Sequence, residues 1–102
     1  MTHSAIDVLR RSRELIEEFG WIQGNYGSKE VGFCSAGAIC ECEGEGFPEP
    51  AVEDACDAFD DAVDGDGYYG TVSFNDAPGR TKEEVLKMFD QAIAHLHGKE
   101  DR

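Results

Sequence analysis

The sequence lacks any run of about twenty apolar residues, and its first residues lack the apolar stretch of a secretory signal peptide. We therefore expect a cytoplasmic protein with no membrane partner. Basic residues are also scarce, with 9 Lys and Arg against 22 Asp and Glu. Because a surface that binds nucleic-acid phosphates needs a basic face, the composition argues against direct binding of DNA or RNA.

Motifs for metals, phosphates and catalytic nucleophiles are missing as well. The four cysteines follow the spacing C-x5-C-x-C-x13-C without a nearby histidine, which does not fit a zinc site. Residues 60–67 do not fit a calcium loop, because Tyr68 and Tyr69 stand where a loop starting at Asp64 needs a ligand and a glycine. No glycine-rich phosphate loop occurs. The sequence thus predicts no metal, no cofactor and no catalytic residues, and it predicts reduced, structural thiols.

The chain contains enough apolar residues to form a hydrophobic core. It has 102 residues, of which 40% are hydrophobic and 10% aromatic. This length is typical of one domain, and the composition is that of a folded chain. We therefore predict a single acidic helical domain over residues 1–102, with an undetermined oligomeric state that leaves a homodimer open.

The spacing of apolar residues predicts about four helices. Steps of three and four residues run through 4–19, 35–42, 50–64 and 81–97, with glycines 20, 65 and 98 as the expected ends. Ser4 and Asp7 fit a capping box at the first helix, and Thr81 and Glu84 fit one at the last. Residues 68–74 are predicted as a strand or extended segment. The fold class is therefore mainly α, and a minor two-stranded β element from 30–33 and 70–74 is compatible with the pattern.

The net charge of −13 is concentrated in one quarter of the chain. Residues 41–66 contain eleven acidic side chains and no Lys or Arg, whereas the segments on either side are nearly neutral. The third predicted helix carries most of this charge on the face opposite its apolar stripe: Glu53, Asp54, Asp57, Asp60, Asp61 and Asp64.

Such a face has two ordinary explanations, which are solubility and attraction to a basic partner. The main functional hypothesis is a non-enzymatic protein that binds a host protein with a basic surface through these six residues. An alternative from the same feature is mimicry of DNA, which would target a nucleic-acid-binding protein.

A third hypothesis concerns two loops in which polar residues lie beside large apolar ones. Trp21 and Gln23 belong to the first loop, and Asn75, Asp76 and Arg80 belong to the second. If the loops enclose a pocket, it would be a small-molecule or enzymatic site with Arg80 as the anchor for an anion. The simpler expectation is that Trp21 fills the core while Asn75 or Asp76 stabilises the turn.

The same loops carry a family resemblance. The segments G-W-I-Q-G at 20–24, G-F-C-S-A-G-A-I at 32–39 and F-N-D-A-P-G-R-T at 74–81 resemble an uncharacterised family of actinobacteria and their phages, particularly mycobacteriophages. Phe74 stands where that family has Trp. The resemblance implies a shared fold and a phage or actinobacterial source, and it implies no activity.

Overall fold

Five helices and two very short strands make up the described part of the chain, residues 4–63 and 68–100 of a computed structural model. In chain order they are α1 (Ala5–Phe19), β1 (Gly27–Ser28), β2 (Gly32–Phe33), α2 (Ser35–Gly44), α3 (Glu49–Ala62), α4 (Tyr68–Asp76) and α5 (Lys82–Glu100).

The four predicted helices are confirmed, and both predicted capping boxes are present. The Ser4 hydroxyl accepts the backbone N–H of Asp7, whose carboxylate accepts the backbone N–H of Ser4. Thr81 and Glu84 make the same reciprocal pair before α5. Each box satisfies N–H groups that a helix start leaves without a partner. The prediction that Gly98 ends the last helix is wrong, because α5 continues to Glu100.

The predicted strand at residues 68–74 is also wrong, and α4 occupies this segment. The two-stranded β element exists, but β2 pairs antiparallel with β1, with Gly27 opposite Phe33 and Ser28 opposite Gly32. Gly70, Thr71 and Val72 have low helix propensity, which explains the wrong prediction. Packing overrides that propensity, because α4 lies against α2 and α3 and buries Thr71 completely.

The core lies between α1, α2, α3 and α5. Helix α1 packs against the other three, and α3 packs against α2 and α5. Phe59 and Phe89 are fully buried with ring centroids 4.7 Å apart. Cys42 is buried within the same cluster, and burial raises the pKa of its thiol to about 11. All four cysteines are free thiols.

An ion pair links α1 to the residue that follows α2. Arg11 Nε and Nη2 donate to the two carboxylate oxygens of Glu45 at 2.7 and 3.0 Å, and Lys29 Nζ lies 3.4 Å from Glu45 Oε2. The hydrogen bonds from Arg11 lower the pKa of Glu45. A carboxylate whose folded pKa is lowered stabilises the fold above its unfolded pKa, and this contribution is lost as the pH falls through the folded pKa.

We therefore expect Glu45→Gln to lower the free energy of unfolding by about 0.5–1 kcal/mol at neutral pH. The difference from the unaltered protein should shrink as the pH falls through the lowered pKa of Glu45, because the carboxylate then becomes protonated. Urea denaturation at several pH values measures it. Glu30→Gln, at an exposed residue outside the ion pairs, is the control. A difference that persists unchanged at low pH would contradict this prediction.

Candidate functional site

Helix α3 presents five of its own six acidic residues to solvent. Pro50 lies in its first turn, where the missing N–H causes no loss, and its apolar residues face the core. We use the term acidic face for the exposed carboxylates of this helix: Glu49, Glu53, Asp54, Asp57 and Asp61.

Four of the six predicted partner-binding residues belong to this face: Glu53, Asp54, Asp57 and Asp61. Asp60 was predicted to be on the exposed side, but only 6% of it is exposed. We attribute this to α4, which packs against α3 and was not predicted as a helix. Asp64 lies outside the described residues.

The acidic face has no neutralising cation in the part of the chain that the structure describes. The ion pairs there connect Arg11, Arg13, Lys29 and Arg80 to carboxylates elsewhere. No residue of the acidic face takes part in any of them. Its charges therefore repel one another, and a cation brought by another molecule would relieve that repulsion.

A groove of about 350 Å³ lies between α2 and α3, beside the acidic face. Acidic residues from both helices line it, together with Val52 and two cysteines. The lining residues are Cys40, Glu43, Glu49, Val52, Glu53, Cys56 and Asp57. Burial raises the pKa of Cys56 to about 12, so this thiol stays protonated at neutral pH. The negative charge of the groove thus comes from its carboxylates.

The two loops of the third hypothesis meet around Asn75, which is fully buried. Its Oδ1 accepts from Trp21 Nε1 at 2.6 Å and from the backbone N–H and hydroxyl of Ser35 at 3.0 and 2.9 Å. Its Nδ2 donates to the carbonyl of Ile22 and to Asp76 Oδ1. We call these five bonds the Asn75 network. It joins the first loop, the start of α2 and the end of α4.

The other predicted pocket residues surround this network. The Gln23 side chain donates to the carbonyls of Asn75 and Ala77, both at 3.0 Å. Arg80 lies over the Phe74 ring, 3.8 Å from its centroid, and donates to the Phe74 carbonyl and to Glu84. Arg80 therefore stabilises the turn before α5, and its guanidinium is already bonded there.

A cavity of about 280 Å³ lies beside the Asn75 network. We call it the loop cavity, and the residues that line it are Gly24, Asn25, Tyr26, Cys34, Val72 and Asp76. Asp76 is one of the five residues predicted to form a pocket. The other five lining residues were missed because they come from three separate segments of the sequence. The small C-S-A-G-A sequence at 34–38 was the available signal, since Gly37 brings the backbone of Tyr26 close to α2.

Within the described residues, no group of three or more His, Cys, Asp and Glu side chains is arranged to hold a metal ion. No described helix combines the length and the apolar content needed to cross a bilayer.

Comparison with known proteins gives one match. The model of a family described as a family of unknown function (DUF6197) matches residues 1–95. No curated protein and no solved structure matches the chain.

Proposed function

Because the chain belongs to the DUF6197 family, whose function is unknown, we propose a function from its surface: it acts by binding a basic surface of another protein through the acidic face of α3. In this proposal the protein acts as a binding partner and not as an enzyme. The observation that carries the proposal is that no cation pairs with the acidic face among the described residues.

The groove beside α3 supports a protein as the partner. Glu43 on α2 and Asp57 on α3 place carboxylates on both sides of it, and Val52 adds an apolar surface. Arg and Lys side chains combine an aliphatic stem with a charged end, so they can contact both kinds of surface at once. Charge of one sign on the acidic face would speed the encounter with such a partner.

Mimicry of DNA has weaker support from the charge density of α3. Residues 53–61 advance about 12 Å along the helix axis and present four exposed carboxylates. Duplex DNA carries one charge per about 1.7 Å of its axis, which gives about seven over the same length. The exposed charge of α3 per unit length is therefore roughly half of that which a duplex-binding protein meets on DNA.

The source of the partner follows from the motifs at 20–24 and 74–81. Their resemblance to proteins of actinobacteria and their phages makes an actinobacterial protein the proposed partner, and the cytoplasm of a bacterial host the proposed compartment. Modulation of that host protein is the proposed consequence of binding.

We expect affinity capture from an actinobacterial lysate to recover a partner at about 0.1 M salt and to lose most of it at about 0.5 M. The Debye length falls from about 10 Å at 0.1 M toward 3 Å at 1 M, which screens exposed charges. The triple substitution Asp54→Asn, Asp57→Asn and Asp61→Asn should lower recovery at low salt at least tenfold. Quantitative mass spectrometry of the captured proteins measures both effects.

The control carries the same change in net charge at another place. Glu18→Gln, Glu30→Gln and Glu83→Gln alter three exposed carboxylates that lie outside α3 and outside the ion pairs. This control should retain the partner. The proposal is wrong if no salt-sensitive partner is captured, or if the two triple variants lose it equally. If the acidic face only maintains solubility, the triple variant of α3 should aggregate more than the control variant but should still capture the same proteins.

A further inference from the structure

The loop cavity combines one ionised side chain with apolar and aromatic residues. Among the described residues that line it, Asp76 carries a carboxylate and none is Lys or Arg. Burial raises the pKa of the Cys34 thiol further above neutrality, and the nearby Asp76 carboxylate adds to that effect. The cavity therefore carries a net negative charge.

The Asp76 carboxylate is held in position by neutral donors. Its Oδ1 accepts from the backbone N–H of Gly24 at 3.1 Å and from Asn75 Nδ2 at 2.9 Å. Asp76 belongs to none of the ion pairs among the described residues. A fixed carboxylate without a counter-ion at the edge of a cavity attracts a cationic group.

The start of α2 borders the same cavity, and a helix start would ordinarily favour an anion. Here its N–H groups already have acceptors within the protein. The N–H of Ser35 donates to Asn75 Oδ1 at 3.0 Å, and that of Gly37 donates to Cys34 Sγ at 3.2 Å. With these donors occupied and a carboxylate facing the cavity, an anion would be repelled.

From this geometry we propose that the loop cavity binds a small organic cation, an ammonium or guanidinium group on a short aliphatic stem. The charged group pairs with Asp76, and the stem lies against Val72 and Cys34. A volume of about 280 Å³ equals that of about nine water molecules. It accommodates one group of the size of a Lys or Arg side chain.

The proposed ligand chemistry is opposite in charge to that expected from the sequence, which assigned Arg80 as the anchor for an anion. It is also independent of the partner proposed for α3, because the loop cavity is formed by the first loop, the start of α2 and α4. The same cationic group can come from a free amine or from a Lys or Arg side chain of another protein.

The test is a titration followed by ¹H–¹⁵N NMR with butylammonium, butylguanidinium and the neutral control butanol. Both cations should shift the amide signals of Gly24 and Tyr26 and saturate with a Kd on the order of 1–10 mM, as expected for ligands of five to eight heavy atoms. Butanol should cause no comparable shift. Equal shifts from butanol would overturn the proposal, and so would an absence of saturation by both cations.

Two substitutions test the site itself. Asp76→Asn keeps an oxygen that can accept from Gly24 and Asn75 while it removes the charge, and it should weaken binding at least tenfold. Val72→Phe fills the cavity without altering its charge and should have the same effect. Glu18→Gln removes one exposed carboxylate of α1, outside the cavity and the ion pairs, and should bind like the unaltered protein. The proposal is overturned if Asp76→Asn and Val72→Phe bind normally, or if Glu18→Gln weakens binding as much as Asp76→Asn.

A last comparison distinguishes the two sources of the ligand. An N-acetylated, C-amidated Gly-Lys-Gly peptide presents the Lys side chain with neutral ends. If it binds at least as tightly as butylammonium, the site is assigned to a side chain of a partner protein. If butylammonium binds more tightly, the site is assigned to a free amine. If neither binds, the proposal is overturned.

Discussion

Replacing Asn75 by alanine is expected to lower the free energy of unfolding by about 3–5 kcal/mol. The side chain is fully buried and makes the five hydrogen bonds of the Asn75 network. Its removal leaves the N–H groups of Trp21 and Ser35 and the carbonyl of Ile22 without this partner. Each buried polar group that loses its partner costs about 1–3 kcal/mol, and neighbouring losses are not additive.

This loss would be a large part of the total stability, since small domains unfold at a cost of about 5–15 kcal/mol. Urea denaturation followed by circular dichroism measures it. Asn25→Ala is the control, because Asn25 is exposed and lies close to the same loop in sequence. It should change stability by less than about 0.5 kcal/mol. A loss below about 1 kcal/mol for Asn75→Ala would show that the network contributes little.

Replacing Gly37 by alanine is expected to destabilise the protein by about 2–3 kcal/mol, although alanine is the better helix former. A Cβ at this position would lie 1.9 Å from the carbonyl oxygen of Tyr26 and 2.6 Å from its carbonyl carbon. These are backbone atoms, and the same carbonyl accepts the N–H of Cys34 at 3.2 Å. The first loop must therefore move away from α2, at a cost that exceeds the ~1 kcal/mol gained from helix propensity.

Gly44→Ala is the matched control, because Gly44 lies in the same helix and has no atom within 4 Å of the added Cβ. It should leave stability unchanged or raise it by up to about 1 kcal/mol. The two substitutions are chemically identical, so opposite signs of their effects isolate the contact with Tyr26. Equal effects would contradict the importance of that contact.

The sequence was sufficient to predict the elements whose apolar residues repeat regularly. Helices α1 and α3 each have a continuous apolar stripe, and the capping residues Ser4 and Thr81 mark the starts of α1 and α5. These features are local, so they can be read without knowing what packs against them. The exposed carboxylates of α3 follow from the same periodicity.

Helix α4 could not be predicted in this way, because its formation depends on burial. Thr71 and Asn75 of this helix are polar and fully buried, and they lie four positions apart and face the core together. That spacing is helical, but polar residues are normally assigned to the exposed side of a helix. Asn75 was therefore assigned to a turn, and its bonds to Trp21 and Ser35 depend on segments distant in sequence.

The loop cavity was unpredictable for the same reason. Gly24, Cys34 and Val72 become neighbours only when the first loop, α2 and α4 have assembled. The sequence suggested a pocket between the two loops but selected Arg80, whose bonds to Phe74 and Glu84 were not evident from the spacing.

The bonds between the first loop and the end of α4 also have a consequence for the order of folding. They connect residues 52 to 54 positions apart and enclose α2 and α3 completely. Closing a flexible loop of this length costs about 3.5 kcal/mol of chain entropy. A few hydrogen bonds, each with a net contribution of about 1 kcal/mol, cannot offset that cost in an otherwise unfolded chain. We therefore expect the contact between Trp21 and Asn75 to form after the helices between them have shortened the path, so that it acts as a non-covalent cross-link that closes late.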